Sequence, residues 1–352
     1  MKTIYRYLLI AIFVATITSC DEVSTTEPKK DDGGKQSNDW LIPSNKVFDG
    51  GPGKDGIPAL QDPNFIDVDA IDYVADNDLV IAVKVGNEIR VYPHSILDWH
   101  EIINDGIGST KYALTYCPLT GSGIGWNRVI DGNETTFGVS GLLYNTNLIP
   151  YDRATGSNWS QMQLQSVNGK LISKFISLVP LIESKWSTIK TSFPNAKVVS
   201  TNTGYSRNYG RYPYGDYRTN HTSLIFPVEH SDDRLKGKER VLGVFDGENT
   251  KAYRVESFET NGQVLIEKFA STNFLIYGNS GKNFITAFTI PNNSTFEIIT
   301  SDLPWIFKDS NGNKYDLFGT SEDKSIQLTP AKSFIAYWFS WAAFYQNTKL
   351  YK

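Results

Sequence analysis

The sequence repeats itself, and this internal repeat constrains the fold more than any other feature. The segment LVIAVKVGNEIRVY at 79–92 aligns without a gap with RVLGVFDGENTKAY at 240–253, an offset of 161 residues (240 − 79). Further matches follow in the same order along both halves: Tyr116 with Tyr277, LVP at 178–180 with LTP at 328–330, Trp186 with Trp338, and FPNAKV at 193–198 with YQNTKL at 345–350. Chance similarity of two hairpins would end with the hairpins, so the pattern indicates a duplication.

The repeat divides the chain into segments. We expect unit one, which holds the candidate site, at 56–200, a joining segment rich in Tyr and Arg at 201–237, and unit two, a degenerate copy, at 238–352. An irregular joining segment of this length is uncommon inside a compact domain unless it has a function.

Each unit has the pattern of an antiparallel sheet with a few helices. Apolar residues run through 79–85, Gly86-Asn87 forms a turn, and the chain returns over 88–92. Apolar spacing predicts a short helix at 93–103, and amphipathic helices at 183–193 and 332–345 end the two units. The predicted fold class is α+β, with two tandem, duplicated antiparallel-sheet units.

The N-terminus has the pattern of an export signal. Lys2 and Arg6 precede an apolar stretch, and small residues lead to Cys20. A cysteine at this place resembles a lipobox, which predicts a lipoprotein signal peptide at 1–20, lipidation of Cys20 and anchoring to a membrane of the bacterial cell envelope. A plain signal peptide with an incidental cysteine is the alternative. The polar residues 21–55 predict a flexible tether.

The composition excludes some partners. Hydrophobic residues make up 40% of the chain and charged residues 20%, as in a typical globular protein. The formal net charge of −4 argues against a nucleic-acid partner, since such proteins carry a basic patch.

Cys117, in TYCPLTGS at 115–122, is the one cysteine after position 20. At the repeat offset it corresponds to Gly278, and His100 corresponds to Asn261, so the residues capable of chemistry are concentrated in unit one. A buried and inert cysteine is the alternative, because free cysteine is among the most buried residue types.

His100 and Cys117 are predicted on neighbouring elements, where two kinds of chemistry are open to them. Cys117 could be a nucleophile with His100 as its base. A thiolate and an imidazole could instead bind a copper or zinc ion together with further ligands. A histidine that is hydrogen-bonded within the core is the alternative for His100.

Other polar and aromatic residues form a candidate ligand-binding set. Asp152 and Arg153 with Trp159 and Gln161 could form a polar wall, although an Asp–Arg pair at a turn would be structural. The remaining members of the set lie beside Cys117 or in the joining segment: Tyr116, Thr120, Ser122, Arg207 and Arg211.

Several long motifs resemble one family. They are WHEIINDG at 99–106, TYCPLTGS at 115–122, FGVSGLLYNTNLIPYDRATGSNWSQ at 137–161, STNTGYSRNYGRYPYGDY at 200–217 and DDRLKGKERVLGV at 232–244. Together they resemble the bacterial family called domain of unknown function 3179. The resemblance implies an exported or lipid-anchored envelope protein without a settled activity. The family's cysteine motif often reads Cys-Pro-Leu-Cys-Gly, and Thr120 stands here at the second cysteine.

Three hypotheses about function follow. The first is a lipid-anchored envelope protein with a ligand or metal site around Cys117 and His100. The second is a thiol-dependent enzyme with Cys117 as the nucleophile and His100 as the base. The third is a carbohydrate-binding or assembly module in which Cys117 is inert and a small-molecule or glycan ligand meets the Tyr and Trp surface.

Overall fold

The structure is a computed structural model that describes residues 39–351; the predicted signal peptide and Cys20 lie outside this range. Strands dominate it, so the α+β class holds in a β-rich form. The α-helices of the described residues are α1 His94–His100, α2 Trp186–Ser192 and α3 Trp338–Phe344. Single 3-10 turns stand at Ser44–Lys46, Val68–Ala70 and Val255–Ser257. No helix in this part of the chain is long and apolar enough to cross a membrane.

The strands before the joining segment are β1 Val47–Asp49, β2 Leu60–Gln61, β3 Phe65–Asp67, β4 Leu79–Val85, β5 Glu88–Pro93, β6 Ile102–Ile107, β7 Thr110–Cys117, β8 Ser122–Asn127, β9 Val129–Ile130, β10 Asn133–Glu134, β11 Phe137–Tyr144, β12 Asn147–Asp152, β13 Asn158–Ser160, β14 Gln165–Asn168, β15 Leu178–Val179, β16 Leu181–Lys185 and β17 Lys197–Val199. Those after it are β18 Arg240–Asp246, β19 Asn249–Arg254, β20 Gln263–Phe269, β21 Thr272–Asn279, β22 Phe284–Thr289, β23 Phe296–Asp302, β24 Trp305–Asp309, β25 Lys314–Tyr315, β26 Thr329–Pro330, β27 Ser333–Tyr337 and β28 Lys349–Tyr351.

Two four-stranded groups share one pairing scheme. The hairpin β4–β5 has β16 antiparallel to its first strand and β17 parallel to its second. The hairpin β18–β19 has β27 and β28 in the same places. β27 lies within the first part of the helix predicted at 332–345, and β16 overlaps the first residues of the helix predicted at 183–193. Those residues are strands because they pair with a hairpin about 100 residues earlier, and helical spacing alone does not reveal such long-range pairing.

The meanders β6–β7–β8 and β20–β21–β22 also share a pairing scheme, but the offset between them is 162 residues. Thr115 pairs with Ile102 as Tyr277 pairs with Val264. Cys117 stands opposite Ser122 as Asn279 stands opposite Phe284. The predicted equivalence of Tyr116 with Tyr277, and of Cys117 with Gly278, is therefore wrong by one residue. The shift arises between the hairpin and the meander, because nine positions separate Pro93 from Ile102 and ten separate Arg254 from Val264, and a single 3-10 turn replaces α1 there.

The two units do not form separate bodies in tandem. β8 of the first unit pairs with β27 of the second through Gly123 and Ile335, so one sheet runs in the order β2-β6-β7-β8-β27-β18-β19-β28. On the other side, the Ser184 hydroxyl and the Lys185 N–H both donate to the Lys282 carbonyl oxygen. All described residues thus belong to one compact unit.

The fold begins before residue 56. β1 pairs with β11, Trp40 bridges to Asn168 and Ile42 is buried. The part of the predicted tether that the structure describes therefore belongs to the sheet β1-β11-β12-β13-β14.

The joining segment contains no helix or strand within the described residues. Lys238 holds part of it, since its buried ammonium group donates to the carbonyl oxygens of Tyr217, Asn220 and Ser223. The segment packs over the end of α1 through hydrogen bonds with Trp99 and Glu101, and over the turn that follows Cys117 through a hydrogen bond from the Tyr212 hydroxyl to the Pro118 carbonyl oxygen.

Candidate functional site

A cavity of about 290 Å³ lies between the joining segment, β11 and the residues that precede β2. We call it the Glu101 chamber. Its walls are mostly aliphatic, with two aromatic rings and one carboxyl group: Gly50, Pro52, Ile57, Glu101, Leu119, Val139, Gly141, Leu142, Leu143, Leu148, Tyr214, Ile225 and Phe226. Ligand sites are typically apolar cavities of about this size or larger with a few polar groups.

Glu101 reaches the chamber because the chain turns sharply at the end of α1. Its φ of 56° is positive, a conformation that costs free energy for any residue other than glycine. The Glu101 N–H donates to the Leu97 carbonyl oxygen at 2.8 Å, and its carbonyl oxygen accepts from the Tyr116 N–H at 2.6 Å. These bonds fix the turn and leave the side chain only 7% exposed at the chamber wall.

The Glu101 carboxyl group lacks a cationic partner within the described residues. The Tyr214 hydroxyl donates to its Oε1 at 3.4 Å, a long hydrogen bond. Burial raises the pKa of Glu101 to about 8; the nearby Asp98 adds to this rise and the Tyr214 hydrogen bond opposes it. The carboxyl group is therefore mostly protonated at neutral pH.

Cys117 lies behind the chamber and not in its wall. β7 ends at Cys117, directly before Pro118, which has no N–H for the ladder. The thiol is 1% exposed, and its sulfur lies 3.7 Å from the Thr146 carbonyl oxygen. Burial raises the pKa of Cys117 to about 11, with a further contribution from Glu101. The residue is thus a thiol, not the reactive thiolate, at neutral pH.

His100 makes its hydrogen bonds with groups other than Cys117. Its Nδ1 is 2.7 Å from the Pro58 carbonyl oxygen, and its Nε2 is 2.7 Å from the Tyr209 hydroxyl. The carbonyl oxygen can only accept, so Nδ1 carries the proton and Nε2 accepts from Tyr209. Burial lowers the pKa of His100, which favours this neutral form. Both ring nitrogens have partners other than Cys117.

A copper or zinc site finds no support in this arrangement. Among residues 39–351, no three His, Cys, Asp or Glu side chains are grouped so that they could hold a metal ion. The two ligands predicted for such an ion, Cys117 and His100, have separate partners.

The comparison with known families gives one result. The family model described as Protein of unknown function (DUF3179) matches residues 54–348, which is most of the chain. The chain belongs to this family. No curated protein and no solved structure gives a significant match.

In this DUF3179 member, Thr120 and Ser122 belong to a buried network. The Thr120 hydroxyl is 2.8 Å from the Ser122 hydroxyl, which donates to Gln161 Oε1 at 2.8 Å. Asn147 Nδ2 donates to the oxygens of all three side chains, and Gln161 Nε2 donates to Thr115 Oγ1 at 3.1 Å. These groups are fully buried and bonded to one another, so they stabilise the core and do not line the chamber.

Asp152, Trp159 and Arg153 are also structural. Buried Asp152 accepts from Trp159 Nε1 at 3.0 Å and caps the turn that follows it. Arg153 donates to Asp55 Oδ1 at 2.7 Å, which ties the segment before β2 to the sheet. Arg153 thus supports the chamber wall from outside.

Close backbone packing at Gly141 supports the same wall. At Gly141, φ is +82° and an added Cβ would lie 2.8 Å from the Gly53 carbonyl oxygen, so this contact needs glycine.

The remaining predicted residues lie elsewhere. Arg207 and Arg211 are exposed beside Trp99; the Arg207 guanidinium is 6.0 Å from the Trp99 ring, and the Arg211 carbonyl oxygen accepts from Trp99 Nε1. The Tyr116 hydroxyl is 3.1 Å from His94 Nδ1.

Tyr116 borders a partly buried charge cluster, which we define as His94, Asp98, Glu183, Arg218 and Arg240. Glu183 lies 3.1 Å from His94 Nε2 and 2.7 Å from an Arg240 nitrogen, and Asp98 lies 2.6 Å from an Arg218 nitrogen. The carboxylates of this cluster therefore have cationic partners, unlike Glu101.

Sequence reasoning missed Glu101 and the role of Tyr214. The available signal was the place of Glu101 in WHEIINDG, where a carboxyl group directly precedes two isoleucines that enter a buried strand. Tyr214 belongs to the joining segment, which the sequence marks only by its content of Tyr and Arg.

Proposed function

We propose that the protein binds a small, largely apolar molecule in the Glu101 chamber, with the polar end of that molecule against the Glu101 carboxyl group. The observation that carries the proposal is a buried carboxyl group without a cationic partner that faces an apolar cavity of about 290 Å³. A cavity lined by apolar residues with a few polar groups, together with a strongly shifted pKa, is the usual mark of a ligand site.

The size of the chamber limits the ligand. A cavity of about 150 Å³ lined by aliphatic side chains binds benzene. A chamber of about 290 Å³ accordingly suits one ring with a short substituent, or a branched aliphatic chain of similar volume. A glycan of several sugars does not fit the volume or the apolar walls.

The thiol-dependent enzyme receives less support than ligand binding. Its nucleophile would need a thiolate and a base, whereas Cys117 is buried with a raised pKa and His100 has other partners. We therefore propose that Cys117 is an inert part of the core. The hypothesis of a carbohydrate-binding or assembly module also takes Cys117 as inert.

The envelope location and the duplication are also proposals. We propose that lipidation of Cys20 anchors the protein in the bacterial envelope, which rests on the N-terminal sequence alone. We propose further that a duplication produced the two units, which then became interleaved. The matching strand orders and pairing registers support that history.

A filled-chamber variant tests the proposed function. Leu148→Phe adds volume to the chamber wall, and Leu178→Phe is the matched control because Leu178 lines a different cavity. We expect toluene and benzyl alcohol to bind the wild type and the control but not Leu148→Phe, as measured by ligand-observed NMR. Equal binding to all three proteins would contradict the proposal. Circular dichroism and thermal unfolding check that both variants fold, since overpacking costs stability.

A further inference from the structure

We infer that the polar end of the ligand is a cation, namely the ammonium group of a small apolar amine that pairs with the ionised Glu101 carboxylate. This inference rests on the proposed function and names its class of ligand. It follows from the charges around the chamber and from the chemistry of the chamber walls.

The first argument is a missing positive charge. Buried carboxylates in proteins are normally paired with a cation or hydrogen-bonded on both oxygens. Glu101 is 7% exposed and has one long hydrogen bond from Tyr214, while no Lys, Arg or His of the described residues forms an ion pair with it. The chamber thus offers a place for a cation that the described protein residues leave unfilled.

Two cations in or beside the joining segment, Arg218 and Lys238, have partners of their own. Arg218 donates to Asp98 at 2.6 Å, and its guanidinium lies 3.5 Å from the Tyr212 ring centre. Lys238 donates to three backbone carbonyl oxygens. A change in which either side chain turned to Glu101 would leave buried polar groups without partners, so a ligand is the better source of the positive charge.

The walls suit the rest of such a ligand. The rings of Tyr214 and Phe226 line the chamber beside Glu101, and aromatic rings attract ammonium groups. The aliphatic side chains around them suit an apolar body. An anionic ligand would meet repulsion from Glu101 and from Asp98 behind it. A neutral ligand that accepts a hydrogen bond would instead require protonated Glu101, and this alternative predicts the opposite pH dependence.

The affinity of the chamber for an ammonium ligand should rise with pH. Glu101 in the free protein has a pKa of about 8, so an ammonium ligand must displace its proton and binds more tightly as the pH rises toward 8. The other titratable groups that face Glu101 are Asp98 on α1, Cys117 on β7 and Tyr214 of the joining segment. Cys117, with a pKa of about 11, and Tyr214, with a pKa raised further, keep their protons between pH 6 and 8. Burial raises the pKa of Asp98 and its Arg218 partner opposes this rise, so the Glu101→Gln variant is needed to separate the titration of Asp98 from that of Glu101.

The test uses three probes that share one ring: benzylamine, benzyl alcohol and toluene. Titration calorimetry with the mature wild-type protein is run at pH 6, 7 and 8, each in two buffers of different ionisation enthalpy. We expect benzylamine to bind about fiftyfold more tightly at pH 8 than at pH 6, because only the ionised fraction of Glu101 is competent, and to release a proton. Toluene should bind equally at each pH.

Two variants complete the test. Glu101→Gln should lose the pH dependence and most of the benzylamine affinity while it retains toluene binding, and exposed Glu248→Gln is the control expected to behave as wild type. Benzylamine affinity that is flat or falls with pH, or that survives in Glu101→Gln, would overturn the inference. Toluene binding without preference for benzylamine would leave the proposed function standing and the inference wrong. Failure of all three probes to bind the wild type would refute both.

Discussion

The Tyr214 hydroxyl donates a 3.4 Å hydrogen bond to the Glu101 carboxyl group across 113 residues of sequence, and thereby joins the irregular segment 201–237 to the end of α1. The bond opposes the effect of burial on the Glu101 pKa. We expect Tyr214→Phe to raise that pKa above about 8, because the charged form loses its one side-chain donor among the described residues. Carbon-13 NMR titration of labelled glutamate measures it. Tyr205→Phe, at an exposed tyrosine, is the control, and an unchanged Glu101 pKa in Tyr214→Phe would refute the role of this bond.

Glu101 should make the protein less stable as the pH rises. Its pKa is about 8 in the folded protein against 4.5 when unperturbed, so between these values the folded state holds a proton that the unfolded state has lost. Stability from this group is complete below pH 4.5 and decreases up to about pH 8. Glu101→Gln removes that decrease, and its unfolding free energy should exceed that of the wild type at pH 8 by about 4 kcal/mol, since each pH unit between 4.5 and 8 costs the wild type about 1.4 kcal/mol.

Urea unfolding of the wild type and Glu101→Gln at pH 5, 6, 7 and 8 measures this difference. All other titrating groups are common to the two proteins, so the change in their difference with pH belongs to Glu101. If the two stability curves run parallel from pH 5 to 8, Glu101 is not held in its protonated form by the fold.

Cys117 should behave as an inert core residue. Cys117→Ala leaves a small cavity among buried apolar residues and should cost about 1–2 kcal/mol of unfolding free energy, while toluene binding in the chamber persists. The native thiol should also resist a thiol reagent at pH 8 until the protein unfolds. Rapid labelling of the native protein, or loss of ligand binding without loss of stability, would restore Cys117 as a functional residue.

The local parts of the fold could be predicted from the sequence, and the long-range parts could not. The hairpins β4–β5 and β18–β19 follow from the apolar residues that precede the turns at Gly86 and Gly247, since a hairpin needs only its own residues. β16 and β27 were predicted as parts of helices, because their strand character depends on pairing with distant partners. The pairing of β8 with β27, which joins the two units in one sheet, cannot be predicted from the repeat pattern.

The candidate site shows the same limit. Cys117 and His100 stood out because of their residue types, yet the fold assigns them to different surroundings. Glu101 becomes notable only when Ile57, Tyr214 and Phe226, from distant parts of the chain, close around it. Neither the cavity nor the missing cation is a property of one short motif.

The proposed membrane anchor depends on Cys20 alone. Cys20→Ser should release the mature protein from membranes, since residues 39–351 contain no helix that could span a bilayer. Fractionation of cells after a high-salt wash measures the distribution, with Cys117→Ser as the control that keeps the first cysteine. A Cys20→Ser protein that still pellets with membranes would show that the lipobox interpretation is wrong.

The most direct test of the central claim is an NMR titration of methyl-labelled leucines with benzyl alcohol. If the Glu101 chamber is the ligand site, the methyl resonances of Leu119, Leu143 and Leu148 shift together with the Glu101 carboxyl resonance, while those of Leu178 in the other cavity stay in place. Shifts at Leu178 with none at the chamber leucines, or shifts that leave the Glu101 carboxyl resonance unmoved, would contradict the claim.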